Sequence, residues 1–112
     1  MKLHTCKDGG EILLGGLGIR PVVLPNAGDT VDGHKHNFAH VMFFASGSAR
    51  LNATGPNGET ESVTVHTGTF FLMRAEWMHA VEALTDNVKF WCVFPEYDAS
   101  GQRPEHFMGD IP

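Results

Sequence analysis

The sequence has few basic residues and no long apolar run. Of its 112 residues, 8 are Lys or Arg and 13 are Asp or Glu, which leaves a formal net charge of −5. The basic residues form no cluster, so we do not expect nucleic acid or an anionic membrane as a partner. No apolar stretch reaches the length of a membrane span, and the first residues lack the apolar block of a signal peptide. We therefore expect a cytoplasmic protein.

Cysteine is also scarce. Cys6 and Cys92 are the only two, and they lie far apart in the sequence. In a secreted protein they could form a disulfide, whereas in a reducing compartment they would stay free. Because no leader is recognisable, we expect two free thiols.

Helical periodicity and the common nucleophile motifs are missing as well. No long window repeats its apolar residues at the helical period. We find no Ser-His-Asp or Cys-His arrangement and no phosphate-binding glycine loop that opens a helix. Instead, 13 glycines separate short apolar runs along the whole chain. Short apolar runs separated by glycines are typical of an all-β sandwich or barrel.

The length is that of one domain. We predict a single domain over residues 1–112, with a barrel at about residues 11–94 and an irregular tail at residues 95–112. The predicted strands cover residues 11–14, 18–24, 38–45, 49–54, 60–66, 69–73, 78–84 and 88–94.

Three histidines share one sequence parity. His34, His36 and His40 all occupy even positions, and so do the apolar Phe38 and Met42. Because side chains alternate between the two faces of a strand, equal parity predicts one apolar, histidine-bearing face. Buried imidazoles need partners for their lone pairs, and a metal ion supplies one. The alternative is a surface strand with exposed histidines, or core histidines that bond to the backbone.

The spacing of these histidines resembles a known motif. Gly28, five residues, His34-x-His36, three residues, His40, six residues and Gly47 match every spacing of the first cupin motif, G-x5-H-x-H-x3-E-x6-G. His40 stands where that motif has glutamate. The resemblance implies an all-β cupin fold, a double-stranded β-helix or jelly-roll barrel with little helix.

The second cupin motif, G-x5-P-x-G-x2-H-x3-N, is matched in part. Gly68 and His79 stand at the matching positions. Arg74, Glu76 and Ala83 replace the proline, the glycine and the asparagine. The resemblance implies that His79 is a metal ligand together with His34 and His36.

The fourth ligand is implied by position. A subgroup of small cupins has histidine in place of the glutamate and binds manganese through four histidines, and this sequence is similar to it in size and spacing. The resemblance therefore implies one divalent ion held by His34, His36, His40 and His79, with manganese the first choice. Iron, nickel, copper and zinc also suit imidazole ligands.

Four neutral ligands leave the charge of the ion uncompensated. Such a site should be a strong Lewis acid, favour the lower oxidation state and attract anionic ligands. An octahedral ion with four histidines keeps two positions for water, substrate or dioxygen, which is typical of a catalytic site. Ligating histidines must be neutral, so we expect metal loss below a pH of about 6.5.

An apolar pocket around the ion follows from parity on the neighbouring predicted strands. Its substrate-facing candidates are Phe38, Met42, Trp77, Phe90 and Cys92, although barrel core is the better explanation for most of them. Arg74 could orient an anionic substrate, and Glu76 and Asp32 flank the histidines in sequence and could act as bases. Each of these three could also be an ordinary solvated side chain.

Three functions fit these observations. The first is a metal-dependent oxidoreductase, a dioxygenase-like enzyme acting on a small organic substrate. The second is a non-redox lyase, isomerase or cyclase that uses the ion as a Lewis acid, and the third is a binding module without turnover. Fold alone cannot choose among them. Residues 12–24 also suggest an edge strand available for pairing in a homodimer.

Overall fold

The computed structural model describes residues 12–14, for which only the backbone is considered, together with residues 17–95 and 97–102. Within these residues the chain forms nine strands and no helix. The strands are β1 (Ile12–Leu14), β2 (Leu17–Leu24), β3 (Thr30–His34), β4 (His40–Ser46), β5 (Ser48–Thr54), β6 (Thr60–His66), β7 (Phe70–Met73), β8 (Met78–Ala83) and β9 (Val88–Pro95).

The strands form two antiparallel sheets. The first, sheet A, has the order β1-β2-β9-β4-β7, and the second, sheet B, has the order β3-β8-β5-β6. All pairings between neighbouring strands are antiparallel. The all-β prediction is therefore confirmed for the described residues, and the absence of helix among them follows the missing helical period in the sequence.

The core lies between the inner faces of the two sheets. Alternate residues of β4, among them Met42 and Phe44, are buried, and so are Val88 and Phe90 of β9. Phe44 and Phe90 lie with ring centroids 5.1 Å apart. Burial of one such side chain contributes about 1.5–3 kcal/mol, so this layer supplies much of the stability of the barrel. The parity predictions for β4 and β9 match this burial.

Two strand predictions need correction. β3 (Thr30–His34) was not predicted, because its residues include glycine and aspartate and all of them are at least partly exposed. In addition, β4 begins at His40 and not at residue 38. His34, His36 and His40 therefore do not lie on one strand: His34 ends β3 in sheet B, His36 lies in the connection, and His40 begins β4 in sheet A.

Gly47 forms the tight turn between β4 and β5. Its φ is +81°, in the left-handed region that favours glycine. A Cβ atom at this position would lie 2.8 Å from Cγ2 and 3.0 Å from Cα of Val88. Both the backbone conformation and the contact with β9 require glycine here, which explains why the last position of the first motif has this residue.

Candidate metal centre

The four predicted ligands come together at one end of the barrel, between the two sheets. His34 at the end of β3 is paired in register with His79 of β8 in sheet B. His40 begins β4 in sheet A, opposite Met73 of β7. His36 lies in the connection between His34 and His40, so the chain passes from one sheet to the other across the site.

The imidazole rings are neighbours. The ring centroid of His34 is 4.9 Å from that of His36 and 4.3 Å from that of His79. The ring centroid of His40 is 5.5 Å from that of His36 and 5.0 Å from that of His79. One nitrogen each of His34, His36 and His79 lies within 4.8 Å of the others, so these three could hold a metal ion, with His40 beside them.

Two main-chain carbonyls orient two of the rings. Nδ1 of His34 lies 2.9 Å from the carbonyl oxygen of Asp32, and Nδ1 of His79 lies 3.0 Å from that of Trp77. A carbonyl oxygen only accepts, so each Nδ1 must be the N–H that donates. In the neutral imidazole the proton-free lone pair is then on Nε2. In metal-ligating histidines, the ring nitrogen that does not bind the metal commonly donates a hydrogen bond to a carbonyl in this way.

Burial favours the neutral imidazole of His79. The side chains of His40 and His79 are 4% and 2% exposed, and both ring nitrogens of His40 are shielded from solvent. Burial lowers the pKa of His79 below its ordinary value of 6.5; the hydrogen bond to the Trp77 carbonyl opposes this shift, and the nearby His34 adds to it. A neutral imidazole is the form that can donate a lone pair to a metal.

Two contacts position His36, which is not part of a strand. Its ring stacks on Phe38 with centroids 4.7 Å apart and planes inclined by 18°. Its main-chain carbonyl accepts a hydrogen bond from the amide of Glu76, with N and O 2.7 Å apart. Phe38 in turn lies against Phe94 of β9, with ring centroids 6.2 Å apart. The connection between β3 and β4 is thus attached to the turn between β7 and β8, through Glu76, and to β9, through Phe94.

Three of the four histidines, His34, His36 and His40, line a cavity of about 20 Å³, which we call the histidine cavity. This volume is close to the space that one water molecule requires. The other lining residues are Phe38, Phe94, Cys92 and Arg20, so no described residue that lines the cavity is acidic. Arg20 of β2 is paired in register with Cys92 of β9 and brings a positive charge to the cavity. The site combines imidazoles, one guanidinium and two aromatic walls.

The structure divides the five pocket candidates. Phe38 and Cys92 line the histidine cavity. Met42 and Phe90 are 1% and 2% exposed and belong to the hydrophobic core. Trp77 lines a different depression of about 210 Å³ and meets the histidines through its main-chain carbonyl.

The remaining candidates lie outside the cavity. Glu76 is exposed, and its carboxylate lies 4.0 Å from the ammonium of Lys35. Arg74 lines the depression that contains Trp77. Asp32 meets the site only through its carbonyl.

The other histidines do not join the cluster in the part of the chain that the structure describes. His66 hydrogen-bonds to Ser48, with Nδ1 and Oγ 2.7 Å apart, and His4 and His106 lie outside the described residues.

Cys92 is a free thiol, as expected, whereas Cys6 lies outside the described residues. Burial raises the pKa of the Cys92 thiol to about 12, and the nearby Arg20 lowers it by a smaller amount. The thiol is therefore protonated in neutral solution. Since the thiolate is the nucleophile, the structure does not favour a nucleophilic role for Cys92.

Arg20 was not predicted. Its position on a predicted strand gives it the parity of Val22 and Leu24, whose side chains pack into the core. That parity was the available signal, and it was outweighed because a charged residue is normally expected to face water. Arg20 can face inward because it lies at the end of the barrel, where it remains exposed to solvent.

No family model matches the chain, and no curated protein matches its sequence. Solved structures match its fold. Oxalate decarboxylase from Lactobacillus farciminis in complex with formate superimposes with a TM-score of 0.70 and 23% identity, over 81% of this chain and 29% of that chain. A structure of Bacillus subtilis oxalate decarboxylase from a study of its Mn(II) centres has a TM-score of 0.62 and 21% identity, over 87% and 31% of the two chains.

A protein with a different activity has a similar fold. Peruvianin-I, a cysteine peptidase from Thevetia peruviana latex, superimposes with a TM-score of 0.63 and 17% identity, over 71% of this chain and 50% of that chain. The described residues therefore have the cupin fold. This chain spans between 29% and 31% of the length of the two decarboxylases. Since one fold carries different activities, the reaction must be argued from the site.

The described residues include no helix that is long and apolar enough to cross a membrane.

Proposed function

We propose that this protein is a metal-dependent enzyme in which His34, His36, His40 and His79 hold one divalent ion, with manganese the first choice. The observation that carries the proposal is the clustering of four imidazoles from both sheets at one end of the barrel. The Mn(II) centres of the Bacillus subtilis decarboxylase, which has the same fold, support manganese.

The residues present fit such an ion. The hydrogen bonds of His34 and His79 to main-chain carbonyls leave Nε2 of each ring as the lone-pair donor. Four imidazoles are nitrogen donors that suit first-row transition metals. A bound divalent ion would supply Lewis acidity to a ligand beside it.

The cavity supports a small anionic substrate. Its volume of about 20 Å³ is close to that of one water molecule, so only a small ligand could enter, and side chains would have to move to admit it. Arg20 offers a planar guanidinium that matches a carboxylate in shape and charge, and no described lining residue is acidic. Phe38 and Phe94 add apolar walls to the cavity.

We place a non-redox lyase reaction on a small carboxylate first. Arg20 in the cavity and the likeness of fold to oxalate decarboxylases both support this choice. Decarboxylation replaces a carbon–carbon bond with a carbon–hydrogen bond and releases carbon dioxide, so it takes up a proton and no net oxidant. An oxygenase is the second candidate, supported by the aromatic walls of Phe38 and Phe94, which could accept an apolar substrate or dioxygen.

The ligand set is tested by metal binding. Titration of metal-free protein with Mn²⁺ should give one site per chain, and alanine at His34, His36 or His79 should weaken binding by at least about 100-fold. His66→Ala is the matched control, because His66 bonds to Ser48 outside the cluster. Unchanged binding in the first three variants would contradict the proposed site.

The reaction is tested with manganese-loaded protein and a panel of small carboxylates and phenols. Carbon dioxide released without stoichiometric oxygen uptake supports the lyase. Oxygen uptake in proportion to product supports the oxygenase and contradicts the lyase. Tight binding of a compound from the panel, with no product formed from any of them, contradicts an enzyme of either kind and indicates a binding module.

A further inference from the structure

A groove opens between the two sheets, along the side of the barrel where β6 and β7 meet. β6 is the last strand of sheet B and β7 is the last strand of sheet A. Two depressions lie between these strands, of about 380 Å³ and about 210 Å³. Ala53, Glu61 and Phe71 line both depressions, so the two adjoin, and together we call them the seam groove. No histidine among the described residues lines it, so it is separate from the histidine cavity.

One end of the seam groove is apolar. Residues that are paired in register share a face, so Val63 of β6 lies on the inner face with Leu51. Phe71 of β7 likewise lies on the inner face with Met42. Leu51 and Met42 are each 1% exposed, whereas Val63 is 40% exposed although it faces inward. The larger depression, which Leu51, Val63 and Phe71 line, therefore offers an uncovered apolar wall to a ligand.

The other end of the seam groove carries two opposite charges. Glu61 is paired in register with Ala53, and Ala53 with the buried His79, so the Glu61 side chain is on the inner face. Arg74 follows β7 and lines the smaller depression together with Glu61. In the described part of the chain, Glu61 and Arg74 form an ion pair neither with each other nor with another residue. The carboxylate and the guanidinium are therefore both available to the charges of a ligand.

We propose that the seam groove binds a free α-amino acid with an apolar side chain. The ammonium of the amino acid pairs with Glu61 and its carboxylate pairs with Arg74, which both line the smaller depression. Its side chain enters the larger depression beside Val63 and Phe71. Because Glu61 lines both depressions, the α-carbon lies where the charged end and the apolar end meet.

The pattern of charges selects this class of ligand. Both charged side chains line a depression of only about 210 Å³, so the ammonium and the carboxylate that they bind must be close together, as they are on an α-carbon. A fatty acid would leave Glu61 facing an apolar chain, and an alkylamine would leave Arg74 without a partner. The indole of Trp77, which packs against Gly55, adds an aromatic wall at the charged end, where it favours an ammonium group. The proposal does not rest on the metal centre.

The first test uses the wild-type chain and varies the ligand. Calorimetric titration with leucine should give one site per chain. Isocaproate is leucine without its ammonium group, and isoamylamine is leucine without its carboxylate. Each should bind at least about 10-fold more weakly than leucine, because one charge-assisted contact is lost. Alanine should also bind at least about 10-fold more weakly, because it lacks the apolar group that fills the larger depression.

The second test varies the protein. Glu61→Gln and, separately, Arg74→Gln should weaken leucine binding by about 5- to 10-fold, since both side chains are exposed and water screens their charges. Glu61→Gln should leave the affinity for isocaproate unchanged, and Arg74→Gln should leave that for isoamylamine unchanged. Glu82→Gln and Arg50→Gln are the matched controls: these exposed residues are paired with each other on β8 and β5, outside the groove, and should not affect leucine binding.

Three results would overturn the proposal. The first is the absence of binding by leucine and by phenylalanine at about 10 mM. The second is equal affinity of the wild type for leucine and isocaproate, which would show that Glu61 does not recognise an ammonium group. The third is leucine affinity that falls in Arg20→Gln and not in Arg74→Gln, which would place the carboxylate in the histidine cavity instead of the seam groove.

Discussion

The main-chain amide of Glu76 donates a hydrogen bond to the carbonyl oxygen of His36, with N and O 2.7 Å apart. Glu76 has a φ of +67°, in the left-handed region that a side chain with a Cβ atom adopts at a cost. It stands where the second cupin motif has glycine. The structure thus explains the motif glycine: the turn that contacts the His36 connection requires a positive φ, and this chain meets the requirement with a strained glutamate.

Glu76→Gly should therefore stabilise the protein. Relief of the left-handed strain gains about 1–2 kcal/mol, and the greater freedom of glycine in the unfolded chain offsets part of this gain. The lost pairing with Lys35, 4.0 Å away and exposed, contributes little. We expect a net gain of about 0.5–1 kcal/mol and a rise in Tm of about 2–5 °C, measured by calorimetry on metal-free protein.

Asn87→Gly provides the comparison. Asn87 also has a positive φ, +56°, but asparagine enters the left-handed region more readily than glutamate. The substitution should therefore change Tm less than Glu76→Gly does. An equal gain in both variants, or a loss in Glu76→Gly, would show that the glutamate is not strained.

The sequence predicted the parts of this fold that depend on alternation. Burial along β4 and β9 follows parity, because both strands pack one face on the core. The same rule predicted that the histidines lie together on one face of a single strand, and the single strand was wrong. His34 and His40 belong to different sheets, and parity has no meaning across the connection that joins them. Their proximity is a property of the barrel, in which the ends of β3 and β4 converge. That is why the spacing motif could place these rings near one another, whereas the local strand argument could not.

Acid should destabilise the metal-free protein through His79. Burial lowers the pKa of His79 in the folded state below the ordinary 6.5. In the interval below pH 6.5 the unfolded chain therefore binds more protons at this site than the folded chain, so the free energy of unfolding falls as the pH falls. Urea unfolding between neutral pH and the folded-state pKa should show this loss, at most about 1.4 kcal/mol per pH unit for one group.

His79→Gln should reduce this pH dependence, since glutamine does not titrate. His66→Gln is the control, because His66 is exposed and bonds to Ser48 away from the cluster. The explanation fails if the stability of His79→Gln still declines with the wild-type slope. It also fails if His66→Gln removes the decline.

Cys92 should react slowly with thiol reagents while the protein is folded. Burial raises the pKa of its thiol to about 12, so the thiolate is rare at any pH where the protein is handled. In a Cys6→Ser background, labelling by iodoacetamide near pH 8 should be at least about 100-fold slower than in urea-unfolded protein. Equal rates in the two states would contradict the burial of this side chain.

Arg20 should control the affinity of the metal-loaded protein for small anions. Its guanidinium lines the histidine cavity, where it can form two parallel hydrogen bonds with a carboxylate. Arg20→Gln should weaken the binding of formate, measured by calorimetric titration, by about 10- to 100-fold while the affinity for Mn²⁺ changes little. Arg20→Lys should recover part of the loss, because it restores the charge without the planar geometry.

His40→Glu should also weaken formate binding, by adding a negative charge beside the ion, while a carboxylate ligand keeps the metal bound. Formate affinity that is unchanged in both Arg20→Gln and His40→Glu would show that the charge of the cavity does not select its ligand.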